Sequence, residues 1–481
     1  LFIILILSIV FVFNLYFKKK YSYWEKKGLK GPKPIWFVGN SLSELFCNPE
    51  KLEKSYLEKY GSCFGTYRGV LPNFNTSKPE HIKQILNDPN VFHSLGSLEI
   101  NDNYVKNAIL FRNESYWVNG RKAQTHFFTS KKIKSLFDHF ESSINNLLEN
   151  VDFIQNKNKT ETVNLQVLAK HMCIDVVSKF LFSISINSYK ERESKFVKDS
   201  LQITQFNKLN AIILNLLPKK LTNFLKINAF NLKVLNEVGD MFKKMVRKRE
   251  NSEENYDDLI EIIKEANRTK NLGLTENEII GNGLTGYFAG VNILSNAICS
   301  AIYHLLHSPE EKEKFTKEIV KVFSDGIDYE KLVDNSYIDA VISESMRLIT
   351  FTKIFTRTAV VDTEIDGIKI EKGTEIKAIN WIPSFSEEYF PNPEKFDPNR
   401  FLDKSSSNPN IINNSTYLPF GDGPKQCIGK RFSLVFMKYF LVKFFLNYDI
   451  YIPKDYKKEL LSLREFTLFE RFEIGLKKKT K

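Results

Sequence analysis

Cysteine is scarce in this chain. Five residues, Cys47, Cys63, Cys173, Cys299 and Cys427, are scattered through 481 positions. The count is odd and no two stand as C-x-x-C, which excludes a zinc ribbon, a thioredoxin-type pair and a c-type haem attachment. No G-x-S-x-G elbow and no H-E-x-x-H occur, so serine-hydrolase and zinc-protease chemistry have no carrier here. His304 and His307 share a helix face, but no third ligand accompanies them, and packing or surface roles are expected. Internal repeats and long flexible linkers are missing too. One large body is therefore expected, although the length alone suggests more domains.

A broad basic surface is also lacking. The net charge is +12, but residues 18–33 hold seven lysines against one glutamate, and Lys477, Lys478, Lys479 and Lys481 add four more. Those two patches carry ten of the twelve charges, so the body between is nearly neutral. A nucleic-acid binder needs the charge on its folded face. Charge at a chain end suits an anionic membrane surface instead.

What is present begins with LFIILILSIVFVFNLYF, residues 1–17, followed at once by Lys18, Lys19 and Lys20. As a helix it spans about 25 Å, the short limit for a bilayer. The charges follow the apolar run and no small-residue cleavage site appears, which favours an anchor over a signal peptide. Lysines after the span place the remainder in the cytosol. The chain starts at Leu1, so further residues are expected before it. Residues 18–40, with Gly31-Pro32-Lys33-Pro34, are expected to form a basic, proline-rich hinge, and 41–481 the catalytic body.

Residues 41 to about 350 read mostly helical. The strongest element starts at Thr275, which with Glu278 forms a capping box, and runs without proline to Ser308-Pro309. Its length of about 48 Å predicts a helix crossing the whole core. Gly281-Asn282-Gly283-Leu284-Thr285-Gly286 inside it mimics a dinucleotide loop. That fold needs a strand before the glycines, and here a helix cap precedes them. Small residues admitting a close neighbour are the expectation. Residues 360–381 alternate with turns and read as short strands, and 403–415 and 250–258 as polar surface connections. Forty phenylalanines imply an aromatic-lined interior.

The chemistry sits in Phe420-Gly421-Asp422-Gly423-Pro424-Lys425-Gln426-Cys427-Ile428-Gly429-Lys430-Arg431-Phe432. Three glycines and a proline surround one cysteine, and an apolar helical run follows. A thiol at a helix N-terminus is expected to have a lowered pKa. Such a cysteine is a nucleophile or a metal ligand; the first wants a histidine base, the second does not.

At these residues the sequence resembles the cytochrome P450 family, whose pattern is F-x-x-G-x-R-x-C-x-G. Phe420, Gly423, Cys427 and Gly429 match, and Lys425 stands where arginine is usual. Lysine keeps the charge and loses the bidentate fork. Glu344-Ser345-Met346-Arg347 matches the family's E-x-x-R, 80 residues before Cys427, and Arg400 falls in a segment like its second arginine segment. Trp117-Val118-Asn119-Gly120-Arg121 resembles its W-x-x-x-R.

The resemblance implies a mainly α fold with a small β-rich part, holding haem b (iron protoporphyrin IX) between the long helix and the cysteine loop. Cys427 would be the iron ligand. Trp117, Arg121, Arg357 and Lys425 would hold the propionates, and Phe420 and Gly429 would shape the loop. Glu344, Arg347 and Arg400 would form a structural network. On the long helix, Ala289 and Gly290 match the distal pattern and would leave room for dioxygen. Asn292 replaces the usual acid and Ile293 the usual hydroxyl residue. Asn292, Ser295 and Asn296 lie on one face and could hold ordered water, although packing is the plainer role.

The implied activity is oxygen insertion into a lipophilic substrate, with electrons from NADPH–cytochrome P450 reductase and cytochrome b5 as a second donor. Lys425, Lys430 and Arg431 would meet that partner. Two alternatives stay open: a reductase-independent hydroperoxide or endoperoxide isomerase or dehydratase, and a haem-binding protein without turnover. Substrate contacts are expected at 95–110, at 205–230 (Ile212, Leu216, Phe224), at Val291–Ile293, Thr350–Phe355 and Thr467–Phe469. The implied location is the endoplasmic reticulum, single-pass, with the body in the cytosol and no nucleic-acid partner.

Overall fold

The computed structural model describes residues 2–94, 102–203, 205, 207, 209, 210, 213, 214, 219–249, 254, 256–402, 415–462 and 467–479. The expected contacts at 95–101 and at Ile212 and Leu216 lie outside the described residues, as do 250–253, 255 and 403–414 of the two polar connections.

Helix α1 (Phe2–Tyr21) is exposed along its apolar length and buries only Phe17. It is long and apolar enough to cross a bilayer. Residues 18–40, expected as a hinge, pack against the body: Trp24 is 2% exposed and its indole N–H donates to the Thr66 carbonyl (3.2 Å).

The capping box at Thr275 is present, with Glu278 N–H donating to Thr275 Oγ1 (3.3 Å) and Thr275 N–H to Glu278 Oε2 (2.8 Å). It starts a 31-residue helix, and this element and its core partners are built for burial on nearly all sides. α2 is Glu114–Thr125, α3 is Leu165–Phe182, α4 is Glu276–Leu306, α5 is Ser336–Leu348 and α6 is Lys430–Asn447. α4 is also long and apolar enough to cross a bilayer, but 78% of its most apolar stretch is buried, so it is the core helix. α3 is buried on nearly every side, polar Gln166, His171 and Asp175 included, which marks an interior helix, and it packs along α4. The glycine run is helical. Gly281 admits the Tyr104 carbonyl and Gly283 the ring of Phe182 at 2.9 Å from where a Cβ would stand.

The phenylalanines fill the core as packed stacks: Phe180 lies parallel to Phe432 at 4.2 Å and to within 30° of Phe127 at 4.3 Å. Offset or edge contacts of this kind add to the area term.

The β part is small. A five-stranded sheet has β1 (Cys63–Arg68), β2 (Leu71–Thr76), β3 (Phe92–Ser94), β4 (Ile354–Ala359) and β5 (Glu375–Ile379) in the order β1-β2-β5-β4-β3. Only β2 and β5 pair in parallel. Strands at Thr363–Ile365, Ile368–Ile370 and Glu375–Ile379 answer the alternation read at 360–381. A second sheet is centred on β6 (Thr467–Lys478), which pairs with Lys458–Ser462, Thr162–Asn164 and Tyr448–Tyr451.

Candidate active site

The cysteine loop owes its path to its glycines. Gly421 and Gly423 have φ of +72° and +69°, a region that disfavours side chains. A Cβ on Gly423 would also stand 2.5 Å from the Leu86 carbonyl oxygen. The loop closes when Cys427 N–H donates to the Phe420 carbonyl (2.9 Å). Cys427 then sits two residues before Gly429, the N-cap of α6.

Backbone N–H groups of Gly429 and Lys430 face the sulfur, and Arg121 lies near enough to favour its anion. Burial outweighs all of them and pushes the thiol up, against the expectation of a lowered value. A metal cation supplies what the helix end does not, since a coordinating thiol is deprotonated outright. Although the thiol is desolvated, Cys427 is an exposed residue. The two facts fit together when its surface opens onto a cleft inside the protein.

A second open surface lies on the core helix. On α4, Ala289 and Ile293 are exposed one turn apart, whereas Val291, Asn292, Leu294 and Ser295 are buried. These two side chains mark the helix face beside the open space.

Three cations converge at the loop. Arg121 comes from α2, Arg357 from β4 and Lys425 from the loop itself. Burial lowers all three: Arg357 to about 10, and Lys425 to about 8 with Arg357 as a further cause. Among the described residues no carboxylate pairs with any of them. Arg357 reaches only the carbonyl of Thr356 (3.0 Å). Lys425 donates to Asn113 Oδ1 (2.6 Å) and the Arg112 carbonyl (3.2 Å), with the Trp117 ring 5.4 Å away. Desolvated cations without an anion are costly. Their set fits a flat group that carries acidic arms and an iron within reach of sulfur.

The three structural residues meet. Arg347 grips Glu344 through Nε (2.7 Å) and Nη2 (2.8 Å), and Arg400 Nε donates to Glu344 Oε1 (3.2 Å). Arg347 also donates to the Ser384 carbonyl (2.7 Å), which ties α5 to the segment before the loop.

The distal expectations need correction. A Cβ on Gly290 would meet Val177 Cγ2 at 2.8 Å, so its missing side chain admits α3 and does not make room for dioxygen. Ser295 Oγ and Asn296 Nδ2 both donate to the Asn292 carbonyl, at 3.0 and 2.6 Å. Asn296 Oδ1 accepts the Phe469 N–H. Ser295 and Asn296 are thus engaged in packing contacts within the protein. The Asn292 amide makes no hydrogen bond among the described residues. Lys425 also turns inward, so of the three expected partner-facing cations only Lys430 and Arg431 are exposed. Of the substrate segments, Phe224 is 81% exposed.

Asn113 was missed as a site builder. Nothing local distinguishes it, because its partner Lys425 lies 312 residues away.

A sequence model of the cytochrome P450 family matches residues 29–470. The chain belongs to the cytochrome P450 family. Cytochrome P450 3A40 of Oryzias latipes is 28% identical over 457 residues, covering 90% of this chain and 89% of that protein. Cytochrome P450 3A17 of Cavia porcellus is 27% identical, covering 94% and 91%. Lithocholate 6-beta-hydroxylase of Mesocricetus auratus is 27% identical, covering 99% and 95%. This cytochrome P450 is therefore a monooxygenase with a haem-thiolate cofactor, a redox partner and a lipophilic substrate. Membership favours that activity over the isomerase and the non-catalytic carrier.

Proposed function

We propose that this P450 hydroxylates a lipophilic small molecule with dioxygen and electrons from NADPH, delivered by NADPH–cytochrome P450 reductase, with cytochrome b5 as a second donor. Haem b would be held by Cys427 on its iron and by Arg121, Arg357, Lys425 and Trp117 on its propionates. Thiolate-ligated haem supplies O–O cleavage. A relative named for hydroxylating lithocholate supports hydroxylation as the reaction type.

The chain's residues divide the remaining work. N–H groups of Gly429 and Lys430 temper the sulfur's charge. The Glu344–Arg347–Arg400 network braces the loop's approach. Ala289 and Ile293 present apolar surface to the cleft and exclude water. The Asn292 amide, one residue before Ile293, has no hydrogen-bond partner among the described residues. Exposed Lys430 and Arg431 offer an acidic partner a positive face. The body, 41–481, would lie in the cytosol on a single span in the endoplasmic reticulum.

The observation that carries this reading is an exposed Cys427 in a glycine-shaped loop around which Arg121, Arg357 and Lys425 pair with no carboxylate among the described residues. Two measurements test it. The reduced, carbon-monoxide-treated protein should show the red-shifted absorption of thiolate ligation, and Cys427→Ala should lose it. Reductase and NADPH should then turn over a lipophilic panel. Turnover of a fatty-acid hydroperoxide without reductant, and of nothing with it, would overturn the electron-transfer reading.

A further inference from the structure

Cys63 opens β1, and its register partner Thr76 closes β2. Shortly after, Pro79 starts the helix Pro79–Asn87 and sets His81 in its first turn, against the end of the hairpin. The buried His81 ring has Nδ1 3.0 Å from Thr76 Oγ1 and 3.5 Å from Cys63 Sγ, and the sulfur is 3.5 Å from Thr76 Oγ1. On the other side of the ring, Nε2 stands 3.5 Å from Asp366 Oδ2, at the turn between the strands Thr363–Ile365 and Ile368–Ile370. Segments distant in sequence thus place a thiol, an imidazole and a carboxylate in line.

The order of the three assigns their roles. Asp366 favours the tautomer with its proton on Nε2, which leaves the Nδ1 lone pair toward the thiol. Thr76 Oγ1 accepts the Lys78 N–H (3.3 Å), and Lys78 Nζ holds Asp366 at 2.5 Å. The sulfur and the carboxylate face opposite ring nitrogens, so one metal ion cannot reach all three. Nucleophile, base and base-orienting group is the arrangement of an activated thiol. Core packing alone does not require it. Cys63 is partly exposed and Asp366 half-exposed, so the line opens to solvent at both ends of a buried ring.

Burial pushes the Cys63 thiol up and the His81 imidazole down, with Lys78 adding to the second shift. Glu80 and Asp366 work against the shift of His81 and with that of Cys63. At neutral pH the pair is therefore a thiol beside an unprotonated base.

We propose that Cys63, His81 and Asp366 form a thiol-addition site for small α,β-unsaturated carbonyl compounds, separate from the Cys427 loop. His81 Nδ1 takes the thiol proton as the sulfur bonds the β-carbon. The carbon–carbon π bond breaks, its electron pair passes to the α-carbon, and His81 returns the proton there. Nothing is oxidised and no group leaves. Asp366 is a positioning residue.

The full haem-loaded chain in detergent is treated with N-ethylmaleimide, and each cysteine peptide is followed by mass spectrometry. Cys63 should be labelled about ten-fold faster than the more exposed Cys47, through general-base assistance. Buried Cys173 and Cys299 report whether the fold is intact. Between about pH 7 and 8 the native Cys63 rate should stay level, because the imidazole is already free of its proton. In His81→Gln it should fall about ten-fold at neutral pH and then climb as the thiolate forms. Asp366→Asn removes a negative charge, which by itself favours the thiolate and quickens labelling. Slower labelling is expected instead, because the ring loses the group that orients it. Cys63 labelling no faster than Cys47, or a native rate that climbs steeply with pH, overturns the proposal. So does an Asp366→Asn chain that labels as fast as the native one or faster. Where His81→Gln uncovers Cys173 or Cys299 the fold has opened, and Asp366→Asn decides.

Discussion

Asn296 joins Phe469 to the centre of helix α4: its side-chain oxygen accepts the Phe469 N–H while its amide donates to the Asn292 carbonyl. The start of β6, which carries Thr467–Phe469, is thereby held against α4. Asn296→Ala leaves a buried N–H unpaired and should cost about 1–3 kcal/mol. Urea denaturation measures that loss. The variant should also alter product regiochemistry, since the strand it releases borders the cleft. Unchanged stability would mean that water replaces the amide.

Glu344 carries two buried cations. Its side chain and that of Arg347 are fully buried, and that of Arg400 is 9% exposed. Glu344→Ala strands both guanidinium groups, a change worth about 3–5 kcal/mol. The expected outcome is a collapse in haem-loaded yield. Arg347→Lys tests the fork: it keeps the charge, and should still lose most of the yield, because one ammonium cannot make the bidentate contact and reach the Ser384 carbonyl.

Gly290 and Ile293 are neighbours in sequence with different tasks. Gly290→Ala pushes a methyl against Val177 and should destabilise by about 1–3 kcal/mol. Adding Val177→Ala should restore part of that loss. Ile293→Thr, on the exposed stripe, should leave the melting temperature nearly unchanged. It should raise the ratio of product formed to NADPH consumed, because it places a hydroxyl where the cleft wall is now apolar. Should Gly290→Ala spare stability and impair oxygen use alone, the assignment of its missing side chain to α3 packing is wrong.

Asp175 sets a pH dependence away from the site. It is fully buried on α3, and burial raises its carboxyl to about 7, partly offset by hydrogen bonds from Ser188. The folded state thus binds a proton more tightly than the unfolded chain does. Stability should therefore fall as pH rises from about 4 through 7. Asp175→Asn keeps an acceptor for the Ser188 N–H and should flatten that slope. Melting curves across the window decide the matter, and a variant with the native slope would assign the effect to another group.

Much of the fold is local and could be read directly. The capping box at Thr275, the uninterrupted run to Ser308 and the turn-punctuated strands near 370 each depend on neighbours a few residues apart. The cysteine loop is of the same kind. Its glycines are needed by its own backbone angles, whatever the rest of the chain does.

Contacts between distant segments decided the remainder. Gly290 matched a distal pattern, but the direction of its missing side chain depends on how α4 is rotated against α3. Lys425 was expected both on the propionates and toward a partner, and Asn113, 312 residues earlier, turns it inward, away from the second role. Residues 18–40 read as a hinge because proline stiffens a chain without saying what it lies against, and Trp24 and Tyr21 settle that by packing on β1. Composition, order and spacing determined the elements and the reactive sulfur. Only packing assigned each polar group its partner, because burial and hydrogen bonding act through space, and separation along the chain does not predict them.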